Sequence, residues 1–191
     1  MRALPRGFYR RDSRDVAPLL LGKVLVVGRQ RVRIVEVEAY VGAEDPGSHA
    51  YRGLTSRNRV MFGPPGHLYV YFTYGMHWCA NVVSGVEGVA QAVLLRAGAP
   101  LAGIEEMRAA RPAARRDRDL CSGPARLCQA LGIGPEHDGA DLVRPAPGAP
   151  WIGDDGTAPP AEPGVSTRVG LSRGVEHPWR WFVAGDPNVS R

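Results

Sequence analysis

The 191-residue chain has no run of apolar residues long enough to span a bilayer. Its first residues, Met1-Arg2-Ala3-Leu4-Pro5-Arg6, lack the apolar core of a secretory signal. A soluble, cytoplasmic protein is expected, nucleoid-associated if the source is bacterial. Cysteine is scarce. Cys79, Cys121 and Cys128 are an odd set, which suits a reducing compartment and excludes a disulfide framework. Cys121 and Cys128 have no second pair to complete a zinc site. His49, His67, His77, His137 and His177 are scattered, and no His-Glu-x-x-His run occurs, so no metal is expected. The absence of a Gly-x-x-x-x-Gly-Lys-Ser/Thr run argues against a P-loop nucleotide enzyme. Lysine is almost missing as well. Lys23 stands alone, so a Schiff-base mechanism has one candidate in the whole chain. Ser48, His49 and Ser122 lack the setting of a catalytic triad.

What is present describes an ordinary globular protein with an arginine excess. Hydrophobic residues make up 44% and charged residues 23%, which excludes disorder of the whole chain. The length supports one domain, 1–191, able to bury a core without staples. The net charge of +5 favours an anionic partner, of which nucleic acid is the commonest.

Asp12 or Ser13 can cap a short helix through Val16, Leu19 and Leu20 that stops at Gly22. Strands follow at 23–27 and 31–40. Residues 42–66 form a long polar loop, with one helical turn near Ser56. Residues 68–73 and 78–83 meet around Tyr74-Gly75-Met76 as a hairpin. An apolar strand at 90–97 precedes a helix opening at Pro100 and Leu101. A second helix runs from Ser122-Gly123-Pro124 to Leu131, closed by Gly132. Residues 134–166 are rich in Pro and Gly and are expected to be irregular. A short strand, 178–183, ends the pattern. The fold class is α+β: a single domain with one mixed antiparallel β-sheet, surrounding helices and a protruding hairpin.

Alternation along the strand puts Glu36, Glu38 and Tyr40 on one face. Two adjacent carboxylates inside a sheet are costly unless paired, so the strand alone reads first as an exposed edge with two solvated glutamates. Arg96 lies within the apolar run Val93-Leu-Leu-Arg-Ala97. If buried it needs an acid, and Glu36 or Glu38 could supply one; if at a strand end it reaches solvent. Tyr74 at the hairpin tip is either folded back or an exposed wedge that enters a base stack.

Taken together, the runs Glu36-Val-Glu-Ala-Tyr40, Glu44-Asp45 with His49, Arg57-Asn-Arg59, Met61-Phe62, Leu68-Tyr-Val-Tyr71, Tyr74-Gly-Met76, Asn81, Leu94-Leu-Arg-Ala97, Cys121-Ser-Gly-Pro124 and Leu127-Cys-Gln-Ala-Leu131 carry a resemblance. In that order the chain, from about Arg10 onward, resembles the alkyladenine (3-methyladenine) DNA glycosylases, monofunctional enzymes of base excision repair. The resemblance implies that Glu38 is the general base and that Arg96 helps hold the attacking water. It implies a pocket of Tyr40, His49 and Tyr71 for a flipped base, with Asn81 disfavouring the amine of guanine. Tyr74 would fill the hole left in the duplex, with Met76 beside it. Arg57 and Arg59 would reach phosphates, or else pair internally with Glu44 or Asp45. The implied partner is double-stranded DNA containing damaged purines, bound by a monomer. No metal or organic cofactor is implied. A non-catalytic damaged-DNA-binding or RNA-binding module of the same fold shares the basic charge and the tyrosines, but has no need of Glu38 and Arg96 together.

Overall fold

The computed structural model describes residues 1–190. Nine strands form a single curled sheet: β1 (Arg2–Ala3), β2 (Val24–Val27), β3 (Gln30–Tyr40), β4 (Leu68–Thr73), β5 (His77–Val83), β6 (Ala92–Ala102), β7 (Trp151–Asp154), β8 (Gly164–Ser166) and β9 (Arg180–Phe182). Their main order is β1-β7-β2-β3-β6-β5-β4, and β9 joins β3 to β8. Every ladder between these strands is antiparallel. Four helices complete an α+β fold: α1 (Arg6–Tyr9), α2 (Ser13–Leu20), α3 (Ile104–Ala110) and α4 (Pro124–Leu131).

The helix ends follow their sequence signals. Asp12 caps α2 by accepting from the Arg14 amide. Pro124 opens α4, where its missing N–H has no intrahelical partner to lose, and Gly132 closes it in the left-handed region. Both helices press an apolar stripe on the sheet. Val16 and Leu20 of α2, and Leu127 and Leu131 of α4, join Leu25, Val37, Val82 and Leu95 in one buried core.

Two expectations need adjustment. The strand expected to end at Ala97 continues to Ala102, and α3 starts only after Gly103, which adopts a left-handed φ of 71°. The pairing of Ala99 and Pro100 with β3 carries the extended chain past the expected helix start. The 134–166 segment is irregular in part, yet it supplies β7, which pairs on both edges with β1 and β2.

The central strand matters most for function. β3 pairs with β6 along one edge; along the other it pairs first with β2 and then with β9. Its ladder to β6 is irregular at Glu36, which pairs with Ala97, while Ile34–Gly98 and Val37–Leu95 keep one register on either side. Arg96 therefore lies across from Glu36, on the face that also carries Glu38.

Candidate active site

Glu36 and Glu38 are both fully buried, with 0% of either exposed. Each is compensated, which excludes the solvated-edge reading. The Arg96 guanidinium donates from Nε to Glu36 Oε1 at 2.8 Å, and its Nη1 lies 3.3 Å from Glu38 Oε1. Arg180 also donates to Glu36, as do the Ser190 amide and hydroxyl. Burial alone would raise the Glu36 pKa. Arg96, the Ser190 amide and Arg180 outweigh it and hold that carboxyl below the usual range. Glu36 is thus a fixed anion that orients Arg96.

Glu38 is held differently. Its Oε2 accepts from Tyr40 Oη at 2.8 Å, and its Oε1 accepts from the Val169 amide at 2.8 Å. Burial raises its pKa above the ordinary value, and the nearby Arg96 only partly offsets this. Desolvation is the larger effect, so the positive charge of Arg96 does not bring the Glu38 pKa down to the ordinary value. Burial and the Glu38 carboxylate in turn keep the Tyr40 phenol protonated, so Tyr40 remains a donor.

In front of Glu38 lies a cavity of about 310 Å³. It is lined by Tyr40, His49, Tyr71, Asn81, Arg96 and Tyr74, six of the residues singled out from the sequence. Glu38 itself sits behind the wall, reached through Tyr40, Arg96 and Val169. The His49 ring meets Tyr71 edge-on with centroids 4.5 Å apart. His49 Nδ1 shares a hydrogen bond with Tyr69 Oη at 3.2 Å. Burial and the neighbouring Arg57 lower the His49 pKa, so the imidazole is neutral near pH 7. Asn81 is buried opposite Tyr69 in the hairpin and donates to its carbonyl at 3.3 Å.

The hairpin tip extends past the mouth of this cavity. The Met76 amide donates to the Thr73 carbonyl, closing a turn in which Tyr74 and Gly75 both have positive φ, 51° and 66°. Positive φ at both central residues is the pattern of a type I′ turn. Tyr74 is the one non-glycine with positive φ among the described residues. It is 79% exposed and Met76 69%, so neither is folded back.

Arg57 stands over the Tyr71 ring and donates to the Phe72 carbonyl at 2.9 Å, beside the cavity. Arg59 opens a short 3₁₀ turn and does not line the cavity. Neither forms the internal ion pair considered from the sequence. Asp45 is engaged elsewhere, by both Nη atoms of Arg168. That buried pair went unseen in the sequence, as did Val169, Gly170 and Leu171 in the cavity wall. Arg168 also lies over the rings of Tyr40 and Trp179 and donates to the Ala39 carbonyl. It straps the 168–174 segment across the end of β3. Gly47 permits this close approach, since a Cβ there would come within 2.9 Å of Leu171 and 3.0 Å of Arg168. Among the described residues, no three His, Cys, Asp or Glu side chains are grouped to hold a metal ion.

Residues 7–187 match the family profile described as Methylpurine-DNA glycosylase (MPG). A Burkholderia lata protein named "Putative 3-methyladenine DNA glycosylase" is 58% identical over 98% of this chain and 90% of its own. Proteins of the same name from Streptomyces avermitilis and Chlorobaculum parvum are 51% and 48% identical, over 98% and 100% of this chain and 90% and 91% of theirs. The match runs through every element that builds the site, from β3 to the Arg168 strap, and on that basis the chain belongs to the methylpurine-DNA glycosylase family.

Proposed function

We propose that the protein is a monofunctional glycosylase that flips alkylated or deaminated purines out of duplex DNA and hydrolyses their N-glycosidic bond. One observation carries this reading: Glu38 is paired with Arg96, and Arg96 lines an aromatic cavity that Tyr74 of the hairpin tip also lines.

A base inside a duplex is out of reach of any side chain, so it must be extruded, at a cost of a few kcal/mol. Tyr74 entering the vacated stack offsets part of that cost. Stacking on Tyr40 and Tyr71 supplies more, about 1–3 kcal/mol per base–aromatic contact. A cationic alkylated purine gains further from the electron-rich tyrosine faces. Asn81, in the cavity wall, is assigned the role of disfavouring the exocyclic amine of normal guanine.

A carboxylate offers about four acceptor positions. Tyr40 and Val169 take two of them on Glu38, and Arg96 stands 3.3 Å away as its ion-pair partner. In this reading a remaining acceptor position holds the attacking water. Water oxygen bonds to the sugar C1′, the C1′–N bond breaks with its electron pair leaving on the purine, and the water proton passes to Glu38. Ionised Glu38 also stabilises the positive charge that builds on the sugar. An alkylated cationic base departs as a neutral molecule. A neutral base such as hypoxanthine must gain a proton as it leaves, and His49, held neutral by burial and Arg57, is a poor source of it.

The test is the product. Single-turnover reaction with alkylated and hypoxanthine duplexes, with chelator present, should release the free base and leave an unbroken abasic strand. A borohydride-trapped protein–DNA adduct would overturn the monofunctional assignment.

A further inference from the structure

Glu36 does no chemistry in the proposed mechanism, yet four donors reach it. Its Oε1 accepts from Arg96 Nε, Arg180 Nε and the Ser190 hydroxyl, at 2.8, 2.7 and 2.9 Å, and its Oε2 accepts from the Ser190 amide at 2.6 Å. Two of these donors belong to one residue, 154 positions away in sequence. The segment after β9 brings Ser190 there, within reach of both Arg96 and Arg180. Ser122 Oγ, just before α4, donates to the Val189 carbonyl at 3.4 Å and ties the segment down from its other side.

A serine hydroxyl carries one proton and two lone pairs, so it donates and accepts at once. Ser190 Oγ donates to Glu36 and accepts from Arg96 Nη2 at 3.2 Å. Arg96 is thereby anchored at two of its three nitrogens, Nε on Glu36 and Nη2 on Ser190. The guanidinium is a rigid plane. Fixing Nε alone leaves that plane free to turn about the Cδ–Nε bond. Fixing Nη2 as well sets where Nη1 points, and Nη1 stands 3.3 Å from Glu38 Oε1. We propose that Ser190 is a positioning residue of the active site, holding the Arg96 fork so that its third nitrogen faces the Glu38 carboxylate. The inference rests on the glycosylase reading above and adds to it a residue outside the cavity wall that acts only through Arg96.

The groups packed around Glu38 leave this role to Arg96. Tyr40 of β3, Tyr71 of β4 and Cys79 of β5 are kept neutral by burial. Arg168 of the strap is engaged by Asp45, and Arg180 of β9 by Glu36. The orientation of Arg96 therefore bears directly on the ionisation of Glu38.

The test is the pH dependence of single-turnover base release from a cationic alkylated duplex, with lesion binding measured on the same proteins. Ser190→Ala frees Nη2 while the charge of Arg96 stays, so the acid limb should move up by about half a pH unit, with about threefold slower release on the limb. Lesion binding should not change. Ser190→Thr, which keeps the hydroxyl, should return the limb to its wild-type place. In an Arg96→Gln background, Ser190→Ala should shift the limb no further, because the two residues act as a unit. Should Ser190→Ala fail to fold, Ser190→Cys, of similar shape but a weak donor and acceptor, carries the same comparison. A limb that stays in place, or a shift that adds in full to that of Arg96→Gln, overturns the proposal. So does lost stability with an unmoved limb, which marks a purely structural role. Each of these results leaves the glycosylase reading standing while wild type releases base through Glu38. A wild type that releases no base overturns both.

Discussion

Two hydrogen-bond donors and the Arg96 guanidinium reach the Glu38 carboxylate although no part of it touches solvent. Its pKa is raised by burial and restrained by Arg96. In the proposed mechanism base release needs the ionised form, so the rate should fall as pH drops through the Glu38 pKa, with the acid limb above the ordinary carboxylate value of about 4.3. Arg96→Gln removes a charge that favours ionisation, and the limb should move to higher pH, slowing release on the order of tenfold at pH 5. A pH–rate series on a cationic alkylated base checks this, because that leaving group needs no proton of its own. A limb that stays in place, or moves to lower pH, would remove Arg96 from the control of Glu38.

Two elements carry opposite signs of stability. The hairpin β4–β5 holds Tyr74 at a φ that suits Gly or Asn, and a left-handed residue with a full side chain is strained by about 1–2 kcal/mol. With its side chain exposed, Tyr74 gives up little packing on replacement. Tyr74→Asn should raise the unfolding free energy by roughly 0.5–1 kcal/mol while weakening release from duplex DNA. Loss of stability in denaturant unfolding would contradict the strain argument. The 168–174 strap is the converse case. Asp45 and Arg168 are both fully buried and pair with each other. Asp45→Asn leaves the Arg168 charge uncompensated and should cost about 3–5 kcal/mol in the same unfolding measurement. Since Arg168 packs on Tyr40, base release should slow as well. A loss under about 1 kcal/mol would mean that the pair behaves like a surface salt bridge.

At the scale of the whole molecule, the basic charge is unevenly used: Arg96 and Arg168 are buried and Arg180 half-buried around the site, and others line the connection between α3 and α4. The sequence made the local features readable. Asp12, Pro124 and Gly132 mark helix ends, and Tyr74-Gly75 marks the hairpin turn. The ordered runs from Glu36 to Leu131 identify six cavity-lining residues by resemblance. What stayed hidden depends on distant pairing. Val169 meets Glu38 across 131 positions and Arg168 meets Asp45 across 123, and no local periodicity encodes either pairing. The alternation on β3 placed Glu36 and Glu38 together. Only the fold shows that Glu36 anchors Arg96 and Arg180, while Glu38 is left to face the cavity wall.

The central claim is that Glu38 performs the hydrolysis. Its most direct measurement is single-turnover base release from an alkylated duplex by wild type and Glu38→Gln, with lesion binding measured on the same proteins. General-base removal should slow release by about 10²–10⁴-fold, while lesion binding stays within a few-fold of wild type. Release by Glu38→Gln at the wild-type rate would contradict the account.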